Sequence, residues 1–255
     1  MAAVPLDYRF DGPRSAPVVL LLGALGPQWT MWEPQLPELT RTARVLQIHH
    51  RGSGASPAPP GDYTLEELAV DVRAVLDRCA IDTVSVVGCG FGGMVAVQLA
   101  VSQPERVRRL ALVSASARVT AGRQWWQYSA QVRASGTSSV VPALTKHWFT
   151  PAFDMQRPEI IDRLTRECAA MHANGLAGCL AAMAAADQRS LLARVHIPVV
   201  VVAAAHDTLT PPAHGKRLAS MLPRARYERI PGGAHLVNIE RSAAVNEAMV
   251  PHVVR

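Results

Sequence analysis

Hydrophobic positions follow two rhythms along the chain. Short, nearly continuous apolar runs at Val18–Leu22, Arg44–His49, Thr83–Gly88 and Leu110–Ser114 read as strands. Between them the apolar residues fall at helical spacing. Leu65, Leu68, Val72, Val75 and Leu76 mark a helix over Leu65–Cys79, and a second helix over Gly92–Gln103 is stopped by Pro104. Strands alternating with helices predict a mostly parallel sheet flanked by helices on both faces, an α/β fold. From residue 119 to 190 the rhythm is helical throughout and rich in Ala, Trp and Met, so this stretch is expected as a helical cap inserted into a core made of 1–118 and 191–255. The sheet resumes at Val199–Ala203 and Tyr227–Ile230, and a last helix is expected over Ser242–Val250.

Composition narrows this picture. A chain of 255 residues with 49% hydrophobic positions can bury one large core. No apolar run approaches the ~18–20 residues that span a bilayer. The opening MAAVPLDYRF has no basic-then-apolar leader pattern, which leads us to expect a cytoplasmic protein. Cys79, Cys89, Cys168 and Cys179 form no paired or metal-ligand spacing and read as reduced thiols. The net charge is +6, but the arginines are scattered, so neither nucleic acid nor membrane is an expected partner. A small-molecule or modified-peptide substrate, a monomer or homodimer, and no metal or organic cofactor are expected.

One short stretch carries chemistry. Val86–Met94 reads VVGCGFGGM, a strand, a glycine turn and a helix, with Gly88, Gly90 and Gly92 spaced like G-x-S-x-G, the turn that displays a nucleophilic serine. Here the nucleophile position is Gly90. Farther along, Asp207 follows the apolar run VVVVAAAHD, and His235 lies in PGGAHLVNIE after the last strand. Nucleophile position, acid, histidine is an informative order, and both polar residues follow strand ends, where parallel sheets build their sites. The plainer alternatives are a turn cap for Asp207, ahead of Pro211–Pro212, and an ordinary loop position for His235.

These stretches, with MWEPQLPEL at 31–39, HHRGSGAS at 49–56, WFTPAF at 148–153, HDTLTPP at 206–212 and AHLVNIE at 234–240, resemble the 3-oxoadipate enol-lactonase branch of the α/β-hydrolase superfamily over nearly the whole chain. The resemblance implies an α/β-hydrolase fold. It assigns the acid role to Asp207, the base role to His235 and a degenerate nucleophile role to Gly90. His49 stands where the family usually has Asp, Ser53 where it has His, and Tyr128 where an arginine is expected. Backbone amides at Ala24 or Leu25 and at Phe91 are expected to form an oxyanion hole, and Trp125, Trp126 and Tyr128 to bind substrate. Trp148 reads more as packing. Cys89 should point into packing beside the sheet, and Ser114 and Ser116 read as strand-end residues.

Without a hydroxyl at position 90, covalent acyl transfer from the turn is closed. The superfamily resembled includes serine-less members, one an aspartate epimerase of modified-peptide biosynthesis. The sequence therefore puts first a proton-transfer enzyme, an epimerase, isomerase, cyclase or lyase, acting on a carbonyl-containing secondary metabolite or peptide. The alternatives are an enol-lactone or ester hydrolase whose serine is lost or engineered away, and a non-catalytic small-molecule binder.

Overall fold

A computed structural model describes residues 3–27, 29–120 and 122–254, so the extreme ends of the expected core lie outside it. Seven strands form one sheet: β1 (Tyr8–Asp11), β2 (Val18–Leu22), β3 (Arg44–Ile48), β4 (Val84–Cys89), β5 (Val107–Val113), β6 (Val199–Ala204) and β7 (Ala225–Ile230). Their spatial order is β1-β3-β2-β4-β5-β6-β7. Only β1 runs antiparallel, and the other pairs are parallel. β4 and β6 are buried at every position, which is why their sequences are near-continuous apolar runs, interrupted only by Ser85, rather than alternations. The two edge strands are only half-buried and carry charge.

Among the described residues, eleven α-helices accompany the sheet. α1 (Leu36–Leu39), α2 (Leu65–Arg78) and α3 (Phe91–Ser102) belong to its first half. α4 (Gly122–Ser135), α5 (Val141–Thr145), α6 (Pro151–Gln156), α7 (Pro158–Ala169) and α8 (Ala173–Ala185) all fall between β5 and β6. α9 (Pro212–Met221), α10 (Val237–Glu240) and α11 (Ser242–Val253) accompany the last strands. α2 begins at a capping box, Thr64 accepting from the Glu67 amide while the Glu67 carboxylate accepts from the Thr64 amide. α11 runs past the expected end because Pro251 falls in its last turn, where a missing N–H removes a single ladder bond.

Two loops lock the site-bearing end of the sheet. Gly92 lies so close to the Leu22 carbonyl that a Cβ there would approach it to 2.1 Å, so glycine lets α3 press against the end of β2. Arg51, just after β3, is buried and makes two hydrogen bonds to the buried Asp71 of α2, at 2.5 and 3.1 Å. Asp71 also accepts the Val4 amide at 2.8 Å, and the guanidinium lies over Tyr63. The loop that Arg51 holds packs on the helices inserted after β5: the Gly52 carbonyl accepts from the His172 amide at 2.8 Å.

Removing one member of a buried pair strands the other charge. Asp71→Asn is therefore expected to cost about 3–5 kcal/mol of stability, read as a lowered urea midpoint with an unchanged slope.

Candidate functional site

The turn after β4 has the geometry its glycine spacing suggests. Gly90 adopts φ 53° and ψ −117°, a backbone conformation that side-chain-bearing residues rarely occupy. Its amide donates to the Val113 carbonyl at 2.9 Å, tying the turn to β5. Phe91 follows as the first residue of α3, so its N–H has no intrahelical partner and sits at the positive end of the helix dipole. Cys89 is fully buried in the strand, its Sγ 3.9 Å from Asn238 Oδ1. Burial first, then the Asp207 charge, pushes its thiol far up, away from a nucleophilic thiolate.

Asp207 and His235 are brought together from the ends of β6 and β7. His235 Nδ1 lies 2.9 Å from Asp207 Oδ2. A carboxylate only accepts, so Nδ1 carries the proton and the Nε2 lone pair is left to act as a base. That Nε2 would stand 2.9 Å from a Cβ built on Gly90. The second carboxylate oxygen of Asp207 accepts the amides of Leu209 and Thr210 at 2.8 and 2.9 Å. Thr210 Oγ1 lies 2.6 Å from Asp207 Oδ2, 2.9 Å from the Ser114 carbonyl and 3.5 Å from His235 Nδ1. Burial, the largest influence on Asp207, pulls its carboxyl upward. The charge and hydrogen bond of His235 and the Thr210 bonds outweigh it, and the net shift is downward.

A cavity opens over His235. Gly90, Phe91, His235, Ala24 and Leu25 line it, as does Trp125, in agreement with expectation. Two expected lining residues do not reach it. Trp126 follows Trp125 by one helical step of α4, which turns it outward, and it is 40% exposed. Tyr128 lies one turn on, its ring edge-to-face with Trp125 and its hydroxyl accepting from Gln124 Nε2 at 2.7 Å, outside the cavity. Trp148, expected as packing, is buried and lines the cavity too. Met94, Leu144, Met183, Leu209 and Val119 make most of the remaining wall apolar. Ser116 also lines it, though its hydroxyl donates to the Arg118 carbonyl. No sequence periodicity marks these residues, because they come from separate elements.

The loops that carry the site are held from outside it. The His235 and Leu236 amides donate to the carbonyls of His147 and Trp148, at 3.4 and 2.8 Å. Glu240 accepts the Ala234 amide at 2.9 Å and the Thr150 hydroxyl. The histidines after β3 divide as strand geometry requires. His49 points to Asp7, 3.1 Å away, and stacks on Trp29. His50 turns inward, its Nε2 donating to the Gly23 carbonyl at 3.0 Å beside Phe91. Neither lines the cavity. Among the described residues no cluster of His, Cys, Asp and Glu has the form of a metal site.

With this geometry established, comparison with known proteins is informative. Residues 17–242 match the family described as alpha/beta hydrolase fold. The chain is 32% identical to 3-oxoadipate enol-lactonase 2 of Acinetobacter baylyi over 96% of this chain and 92% of the relative. The crystal structure of an enol-lactonase from Burkholderia xenovorans is similar with a TM-score of 0.95 and 32% identity, covering 100% of this chain and 99% of that one. A hydrolase from Pseudomonas aeruginosa gives 0.92 and 36% identity, over 97% and 93% of the two chains. No single helix among the described residues is long and apolar enough to cross a membrane.

His50 generates a prediction about acid stability. Burial lowers its pKa to about 4, so between pH 6.5 and 4 the unfolded chain binds a proton that the folded chain refuses. Stability should fall by about 3 kcal/mol as pH drops through that window. Replacing His50 with Gln, which keeps a donor but does not titrate, should flatten that slope in denaturant melts recorded from pH 7 to 4.

Proposed function

We propose hydrolysis without a covalent enzyme intermediate, from one premise: the chain belongs to the α/β-hydrolase fold family. The bond cleaved is that of an ester or lactone whose reacting end is small and largely apolar. The relatives named enol-lactonase support the bond type, and the mostly apolar cavity supports the size and polarity. The observation that carries the reading is the approach of His235 Nε2 to 2.9 Å from the Cβ position of Gly90. A base poised there, with no hydroxyl at residue 90, has water as its natural proton donor.

In the proposed step, water attacks the substrate carbonyl carbon while His235 Nε2 takes its proton. Asp207 fixes the imidazole tautomer and stabilises the imidazolium through the 2.9 Å bond. The carbonyl oxygen becomes an oxyanion held by the Phe91 amide, at the start of α3, and by the loop at Ala24–Leu25. The Ala24 amide has Met31 Sδ at 3.3 Å, a weak acceptor that an oxyanion displaces. Collapse of the tetrahedral intermediate breaks the bond to the leaving oxygen, which recovers the proton from Nε2.

The missing hydroxyl also favours a second reading, which the sequence put first. The same Nε2 can remove a proton from carbon beside the carbonyl, giving an isomerase or lyase. Hydrolysis stands ahead of it because the similar proteins are named as hydrolases.

Turnover in H₂¹⁸O of a panel of small lactones and esters should place one label in the carboxylate product, with no acyl adduct on the protein by mass spectrometry. Deuterium entering a substrate carbon in D₂O without bond cleavage would move the assignment to the second reading. His235→Ala should lower kcat/KM by about 10²–10⁴.

Restoring the hydroxyl is expected to be costly. Gly90→Ser places a side chain at φ 53° and crowds the imidazole. We expect a stability loss of about 1–3 kcal/mol by denaturant titration, and an acyl adduct only if His235 is displaced.

A further inference from the structure

The apolar cavity has a charged neighbour. Ser116 and Val119 line it and also line a second, neighbouring cleft. Three guanidinium-bearing residues line that cleft from separate parts of the chain: Arg118 after β5, Arg189 after α8 and Arg217 on α9. One carboxylate answers them. Asp187 is chelated by Arg189 at 2.6 and 2.8 Å and lies 3.9 Å from Arg118. The Arg189 hydrogen bond, the largest influence, holds its carboxyl down to about 2. Three arginines against one aspartate leave an excess of two positive charges. Arg217 has no carboxylate partner among the described residues.

Guanidinium forks suit oxyanions, which they grip through two parallel bonds. A monocarboxylate would neutralise only half of the excess charge, whereas a phosphate dianion matches it.

We propose that this cleft anchors a phosphate group on the substrate, whose carbonyl end passes Ser116 and Val119 to reach Gly90 and His235. The inference deepens the hydrolytic reading and rests on it for the carbonyl end. The anchoring itself is an equilibrium property, measurable without turnover. The substrate class becomes an ester or lactone that carries a phosphate-bearing arm.

Calorimetric titration of the full chain with inorganic pyrophosphate, at low ionic strength, tests the anchor. Saturable one-to-one binding is expected, weakened about tenfold by Arg217→Gln and by Arg118→Gln. Arg133→Gln, which removes an exposed pair with Asp62 remote from the cleft in sequence and lining, should leave it unchanged. His235→Ala should also leave pyrophosphate binding unchanged. Loss of turnover in a chain that still binds pyrophosphate bears on the chemistry alone, so the two readings fail separately. No saturation, or binding that Arg217→Gln leaves intact, overturns the proposal. Succinate binding as tightly as pyrophosphate overturns the phosphate assignment.

Discussion

The site depends on how closely the chain can turn between β4 and α3. A parallel sheet delivers its strand ends to one edge, but a reactive group reaches that edge only if the following helix starts at once and lies close. Gly92 permits the approach to β2, and Gly90 takes the left-handed turn. The Phe91 amide is thereby exposed at a helix start beneath His235. The acid and histidine loops, built by β6 and β7, converge on that point because the strands are in register with β4 and β5.

The helices inserted after β5 are part of this machinery. His147 and Trp148 receive the backbone of the histidine loop, and Glu240 ties the same loop to Thr150. On the opposite side Gly52 receives the amide of His172. The imidazole is therefore positioned from both the sheet and the insertion, and a movement of the insertion would be felt at Nε2. Such coupling suits a cavity whose walls come from both parts.

Central elements were legible in the sequence because burial on both faces writes unbroken apolar runs, as in VVVVAA of β6. Where side chains face solvent, the record thins. β5 starts at Val107, before the point its apolar run suggests, because the exposed Arg108 is skipped in the pairing with β4 and the half-buried Arg109 pairs with Ser85. β1 was not anticipated, since four half-buried residues at an edge carry neither run nor clear alternation. At the site, Gly90, Asp207 and His235 were recoverable from spacing and order. Thr210, Glu240 and the wall residues Met94, Leu144 and Met183 were not, because their roles come from proximity between distant segments. Trp126 and Tyr128 show the limit of reading composition as function. Aromatic density in α4 identified the helix that borders the cavity, but the 100° step between neighbours decides which ring enters it.

The nearness of His235 Nε2 to the absent side chain of residue 90 also bears on how such a protein can change. With the ring 2.9 Å from where a Cβ would stand, a substitution that puts serine at residue 90 meets an imidazole already settled into its place. Recovery of covalent chemistry then requires a concerted adjustment of the loop that carries the ring, including its anchors at His147 and Glu240. A ring settled against glycine works as a ratchet: each accommodation made around it lengthens the path by which residue 90 could acquire a working side chain.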